Sequence, residues 1–202
     1  MTEGGMITSN PYDGDRVPGT VGPALPDVEV RICDKEGMPV AVGEIGILEY
    51  KGPNLFKGYW RMPEKTAEEF RADGYFISGD NAIMDEDGRV SIVGRDKDLI
   101  ITGGYNVYPK EIEIEIDQME GVVESAVIGL PHKDFGEGVT AVIVPTSEDS
   151  ITEQAVIEAL SDKLARFKQP KRVFMVAELP RNAMGKVQKN ALRETFNNTF
   201  DD

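Results

Sequence analysis

Gly94-Arg95-Asp96-Lys97-Asp98-Leu99-Ile100-Ile101-Thr102-Gly103-Gly104-Tyr105-Asn106-Val107-Tyr108-Pro109 separates two kinds of sequence. Before it, apolar residues alternate as they do in strands; after Pro109 they first recur at helical spacing. Arg95, Asp96, Lys97 and Asp98 stand directly before Leu99, Ile100 and Ile101. That is more charge than the entrance of a packed strand needs, and it suggests a ligand contact or a moving joint. Gly103 and Gly104 allow a tight turn, the commoner reason for adjacent glycines, or the lining of a narrow channel. The domain boundary is placed here, giving 1–95 and 96–202.

On the upstream side, Val28, Val30 and Ile32 share one face of a strand, and Ile45, Ile47 and Glu49 continue a second, which predicts an antiparallel pair. Residues 62–70 read as a short helix, with Pro63 near its start, acids in its early turns and Gly74 beyond its end. Strands over 75–84 and 89–93 flank Asp85-Glu86-Asp87-Gly88, whose Asp-Gly pair signals a hairpin. Downstream, Ile112, Ile116 and Met119 predict a helix, with Glu111, Glu113, Glu115 and Asp117 on its remaining faces. The valine- and isoleucine-rich runs 122–130 and 139–144 predict two buried strands joined by a loop over 131–138. A helix over 152–167 places Ile157, Leu160 and Leu164 on one face with Thr152 as its cap. A strand over 173–176, a loop and a terminal helix close the chain. The fold class expected is α+β: a mainly β N-terminal piece, then a small α+β domain with a short sheet and flanking helices.

With 202 residues and 40% hydrophobic content, the chain can bury a substantial core. Its formal net charge of −14 argues against a nucleic-acid or anionic-membrane surface, because the long-range field repels polyanions. An anionic ligand must therefore be held by local charge. Cys33, the single cysteine, excludes an internal disulfide, and with His132 as the single histidine it leaves too few soft ligands for a zinc site. A reducing, cytoplasmic setting is expected. No apolar run approaches the roughly 20 residues that span a bilayer, so no membrane insertion is expected. Met1 is followed by a polar, glycine-rich stretch that belongs inside a fold, so the chain is expected to begin partway through a larger protein.

Two local features carry chemistry besides the opening stretch, and Arg95 within that stretch belongs with them. In Gly74-Tyr75-Phe76-Ile77-Ser78-Gly79-Asp80 an acid follows a glycine at the end of a short strand. Asp80 there can accept hydrogen bonds from the vicinal hydroxyls of a ribose, or stabilise a turn, the commoner role. Arg95 can donate to the same sugar or to a phosphate, or pair at the surface with Asp96 or Asp98. In Pro180-Arg181-Asn182-Ala183-Met184-Gly185-Lys186, a lysine on an exposed loop can be delivered to a phosphate, or belong to a solvated basic surface with Lys189 and Arg193. Lys163, Arg166, Lys168, Lys171 and Arg172 make this end locally basic.

Taken together and in this order, these segments resemble the adenylate-forming (AMP-binding) superfamily: acyl-CoA synthetases, adenylation domains of nonribosomal peptide synthetases, and luciferases. Met1-Thr2-Glu3 resembles the second half of the family's Tyr-Gly-x-Thr-Glu motif, 75–80 its ribose-binding motif, 94–109 its hinge motif and 180–186 its catalytic-lysine loop. The resemblance implies ATP, Mg²⁺ and CoA as co-substrates and cofactor, and a small-molecule carboxylate as partner. It implies that Thr2 touches the ATP phosphates, Glu3 holds Mg²⁺, Asp80 binds the ribose with Arg95 assisting, and Lys97 is the hinge. Lys186 would reach the reacting carboxylate and α-phosphate, and Ile101, Thr102, Gly103 and Gly104 would border the CoA tunnel. Residues 56–66 and 101–113 are most similar to the malonyl-CoA synthetases. The resemblance also implies that the phosphate loop and acyl pocket lie in a missing upstream part of the large domain, so that the free polypeptide is inactive. Rival readings are a noncatalytic nucleotide- or CoA-binding module, or an interaction module, and part of a carrier-protein-loading adenylation domain.

Overall fold

Strands β1 (Glu29–Cys33), β2 (Gly46–Lys51), β3 (Phe76–Met84) and β4 (Val90–Arg95) form an antiparallel sheet in that order in the computed structural model, which describes residues 1–148 and 150–201. Helix α1 (Pro63–Glu69) lies between β2 and β3 in the chain. Val28, Val30 and Ile32 pack on one side with Leu48, Tyr50, Phe76, Ala82 and Val90. On β2 the core face is therefore Leu48 and Tyr50, one residue out of phase with the expected Ile45, Ile47 and Glu49. Glu49 is fully buried on the opposite face, where Oε2 accepts from Arg31 Nε at 2.9 Å and Nη2 at 2.8 Å, and Oε1 accepts from Arg71 Nε at 2.8 Å. Two guanidinium groups neutralise that carboxylate, and this is what lets an acid take a buried strand position. The expected hairpin is present: Asp85 Oδ1 accepts the amides of Asp87 and Arg89 at 3.0 and 2.8 Å.

The chain divides into two compact units, Met1–Lys97 and Asp98–Asp202. A single 3₁₀ turn covers Asp96–Asp98, followed by β5 (Ile100–Thr102), β6 (Tyr105–Val107), α2 (Pro109–Asp117), β7 (Val122–His132), β8 (Gly136–Pro145), α3 (Glu153–Ser161), β9 (Arg172–Met175) and α4 (Lys189–Thr195). The second sheet runs β6-β5-β8-β7, with β9 parallel to β8. Because β7 follows β8 along one whole edge, β5 and β9 share the other: Thr102 faces Gly136, and β9 faces Thr140, Ala141, Val142 and Ile143.

Both faces of this sheet are covered. Val127, Val139, Ala141 and Ile143 pack against Ile112 and Ile116 of α2 and Val156 and Leu160 of α3. Ala126, Ile128, Leu130 and Val142 pack against Leu179 and Leu192, with Phe196 and Phe200 beside them. A strand buried on both sides has no polar face to alternate with, which is why these stretches read as unbroken apolar runs. The fold is α+β, as expected. Among the described residues, no helix is long and apolar enough to cross a membrane.

The expected loop over 131–138 is mostly strand: β7 continues to His132 and β8 starts at Gly136. Pro131, paired in register with Glu137, is tolerated because β7 is an edge strand with β8 on one side only. The expected helix over 152–167 ends at Ser161. Gln169 Nε2 donates to the carbonyls of Ser161 (3.3 Å) and Leu164 (2.9 Å), satisfying groups that a continuing helix would have used. Thr152 does cap this helix, its hydroxyl accepting the Ala155 amide.

Candidate functional site

Asp80 does not end a strand. It lies in the middle of β3, directly opposite Arg95, the last residue of β4. Arg95 Nε is 2.9 Å from Asp80 Oδ1, so the arginine pairs across the sheet and not with its sequence neighbours Asp96 or Asp98. The geometry needs two local departures from a regular ladder. Gly79 has φ +68°, a conformation in which a side chain is strained, and the register shifts between Asn81 and Ala82. The Asp80 amide donates to Ser78 Oγ at 3.1 Å. Backbone and carboxylate are thus both held, with Arg95 half-exposed beside them.

Thr2 is exposed, whereas Glu3 is anchored. The Glu3 carbonyl accepts the Phe56 amide at 2.7 Å, and Tyr59 Oη donates to Glu3 Oε1 at 3.2 Å. Asn54 Nδ2 continues the clasp, donating to the carbonyls of Gly4 and Met6 at 2.7 and 2.8 Å. Burial, and then the Glu3 charge, push the Tyr59 phenol up to about 12, so it remains a donor at neutral pH. Among the described residues no group of three or more His, Cys, Asp or Glu could cage a metal ion. Glu3 alone still fits Mg²⁺, which takes one or two carboxylates and completes its shell with water and substrate phosphate.

Lys97 is exposed in the 3₁₀ turn, and the next residue, Asp98, accepts from Arg193 Nη2 of α4 at 3.0 Å. Gly103 and Gly104 make the two-residue turn between β5 and β6, at φ +57° and +82°, the left-handed pair that a tight hairpin requires. Thr102 is buried, whereas Ile101, Gly103 and Gly104 are exposed. Beside this turn lies a cavity of 430 Å³ lined by Thr102, Gly103, Tyr105, Phe135, Arg166, Phe167 and Lys171. Tyr105 and Phe167 stack with centroids 4.6 Å apart, and Lys171 Nζ sits 3.9 Å from the Phe135 centroid. Of the basic residues near this end, Lys163, Lys168 and Arg172 are neutralised by Glu115, Glu111 and Glu153. Arg166 and Lys171 have no ion pair among the described residues, and both face the cavity.

Lys186 is exposed at the closing end of a tight loop whose turn is Ala183-Met184-Gly185. Arg181 and Val187 bridge across its base, and the Gln188 amide donates to the Pro180 carbonyl at 2.7 Å. Asn182 Oδ1 accepts the amides of Met184 and Lys186, each at 3.0 Å. The loop is ordered by its own hydrogen bonds while its lysine stays free to meet a ligand.

Comparison with known proteins identifies the family. The family profile described as AMP-binding enzyme matches residues 1–60, and that described as AMP-binding enzyme C-terminal domain matches residues 111–186. The chain belongs to the AMP-binding enzyme family. Within that family, it is 63% identical to ATP-bound MatB from Rhodopseudomonas palustris, with a TM-score of 0.93 over 99% of this chain and 40% of that one. It is 44% identical to a malonate–CoA ligase of Arabidopsis thaliana (98% of this chain, 34% of the relative) and 38% identical to a long-chain-fatty-acid–CoA ligase of Salmonella typhimurium (97% and 35%). The chain therefore spans about a third of the length of these curated relatives.

The sequence did not single out Tyr59, showed Arg166 and Lys171 only as members of a basic end and not as a cavity pair, and did not mark Glu113 as buried. Glu113 was expected on an outer face of its helix, yet only 7% of it is exposed. Its position beside Ile112 in the helical repeat was the available signal, and one acid among four hides it.

Proposed function

We propose that this chain is part of an ATP-dependent acyl-CoA ligase, with malonate as the carboxylate. The observation that carries the reading is the 63% identity to ATP-bound MatB over nearly the whole chain. The malonate assignment rests on the names of that protein and of the Arabidopsis relative.

In the first step a carboxylate oxygen attacks the α-phosphorus of ATP, the bond to the β-phosphate breaks, and pyrophosphate leaves the acyl-adenylate. In the second the CoA sulfur attacks the acyl carbon, its proton is lost, and AMP departs with the bridging oxygen. Asp80, steadied by Arg95, accepts from the ribose hydroxyls. Thr2 meets the phosphates, and Glu3 would hold Mg²⁺, whose charge would offset that of the polyphosphate. Lys186 brings a point charge to the reacting carboxylate and α-phosphate, where negative charge develops. Lys97 serves as the hinge between the two steps. Ile101, Thr102, Gly103 and Gly104 border the thiol path, and the aromatic, cationic cavity beside Gly103 suits the phosphorylated nucleotide end of CoA.

The experiment is a chimera in which this chain replaces the matching stretch of the Rhodopseudomonas protein. Malonate-dependent pyrophosphate exchange and thioester formation are expected, and substitution of Lys186 by alanine should remove the exchange. A folded chimera with neither activity would overturn the reading. For the carboxylate, the gene product containing this chain should prefer malonate to acetate and octanoate.

A further inference from the structure

Lys189, the first residue of α4, places Nζ 2.6 Å from Glu113 Oε1 of α2. The two side chains are only 17% and 9% exposed. The same oxygen accepts the Val127 amide of β7 at 3.0 Å, while Lys110 approaches Oε2 no closer than 3.9 Å. One buried carboxylate thereby joins α2, the central sheet and the residue at which the Lys186 loop returns to regular structure. The other foot of the loop is tied as well: Arg181 pairs with Glu124 of β7 and donates from Nη1 to the Gly185 carbonyl at 2.7 Å.

Burying a lysine and a carboxylate is a weak source of net stability, because desolvation offsets their attraction. Leu192 and Phe196 already hold α4 to the sheet through apolar contact. What the ion pair adds is a fixed point, at one distance and in one direction, three residues from Lys186.

We propose that Lys189, acting through Glu113, is a positioning residue for Lys186 in the adenylation step. This rests on the reading of Lys186 as the group that reaches the α-phosphate. With the foot at Lys189 anchored, the self-bonded loop carries the Lys186 ammonium as a rigid arm. With it released, the arm pivots, and a misplacement of about an ångström costs on the order of a hundredfold in rate. The thioester step, which does not use Lys186, is spared.

The test compares Lys189→Met and Lys189→Arg in the chimera with the Rhodopseudomonas protein. Lys189→Met should lower kcat for malonate-dependent pyrophosphate exchange by about a hundredfold, with KM for ATP little changed. Thioester formation from supplied malonyl-adenylate should persist, and Lys189→Arg should recover much of the exchange. In the 202-residue chain itself, Lys189→Met should speed amide exchange at Asn182, Lys186 and Gln188 while the β7 and β8 amides keep their protection. Equal loss in both half-reactions, or full adenylation by Lys189→Met, would overturn the proposal. If the unsubstituted chimera makes thioester but does not adenylate, the reading of Lys186 fails instead, and unchanged exchange in the loop would then overturn the anchoring as well.

Discussion

Arg95 Nε stands 2.9 Å from Asp80 Oδ1, and the two residues are direct partners across β3 and β4. A carboxylate fixed in this way needs no reordering to meet a vicinal diol, so its hydrogen bonds to a ribose come at low entropic cost. Asp80→Asn keeps the shape and removes the charge. A hydrogen bond to a charged group is worth about 1.5–3 kcal/mol, so AMP binding by the chimera should weaken roughly ten- to a hundredfold in calorimetry. Arg95→Met should weaken it less, because Ser78 still holds the Asp80 backbone. Undiminished AMP affinity in Asp80→Asn would remove Asp80 from the ribose site.

Arg166 and Lys171 are set apart from their basic neighbours by charge accounting. Lys163, Lys168 and Arg172 each have a carboxylate within 3.2 Å, whereas the two cavity residues have none among the described residues. Replacing both by alanine should raise KM for CoA about a hundredfold in thioester formation, at the rate of a charged hydrogen bond each. Malonate-dependent pyrophosphate exchange should stay intact, since CoA is not needed for it. The KM for CoA should also rise with salt in the unsubstituted protein more than in the double variant, because screening removes what the substitution has already removed. An unaltered KM for CoA would exclude the cavity as its site.

The architecture was legible where side-chain periodicity is set by a single surface. Val28, Val30 and Ile32 announce β1 because one face of that sheet is buried, and the two long runs announce β7 and β8 because both faces are. Glu49 defeated the same logic, since a carboxylate is buried only when distant residues, here Arg31 and Arg71, come to neutralise it. The motifs single out candidate site residues, but they do not show how those residues pair. That Asp80 meets Arg95 depends on the register shift after Asn81, a property of two strands and not of either segment. The helix expected to reach Phe167 stops at Ser161 because Gln169, well outside the periodic stretch, takes the carbonyls at its end.

Tyr59 and Glu3 form a second pair whose chemistry can be isolated. The phenol donates to Glu3 Oε1 and leaves Oε2 without a partner among the described residues. That arrangement presents a single oxygen to a cation. Tyr59→Phe preserves the packing of the ring against Phe56 and removes only the donor. The Mg²⁺ concentration for half-maximal pyrophosphate exchange should rise several-fold in the chimera, on the order of the 1 kcal/mol of a typical hydrogen bond. The maximal rate at saturating Mg²⁺ should be nearly kept. A lower maximal rate with the Mg²⁺ requirement unmoved would show that the hydroxyl serves the fold of this segment and not its cation.

The N-terminal unit should lose stability in alkali. Burial pushes the Cys33 thiol up to about 11, with Glu49 adding to the shift. Burial, and then the charge of Glu3, pushes the Tyr50 and Tyr59 phenols up to about 12. All three folded values lie above those of the unfolded chain, about 8.5 for the thiol and about 10 for the phenols. The folded state therefore holds these protons more tightly, and the stability they contribute is complete below pH 8 and is lost as pH rises through 9 to 12. Tyr50 offers the sharpest control, because its buried Oη has no hydrogen-bond partner among the described residues. Tyr50→Phe should raise stability at pH 7 by about 1 kcal/mol, since it relieves an unsatisfied polar group, and should flatten the decline between pH 10 and 12. Amide exchange in β1 to β4 across this range, with β7 and β8 as the internal reference, reads the unit separately. An equally steep decline in Tyr50→Phe would show that the Tyr50 phenol does not carry this share of the alkaline transition.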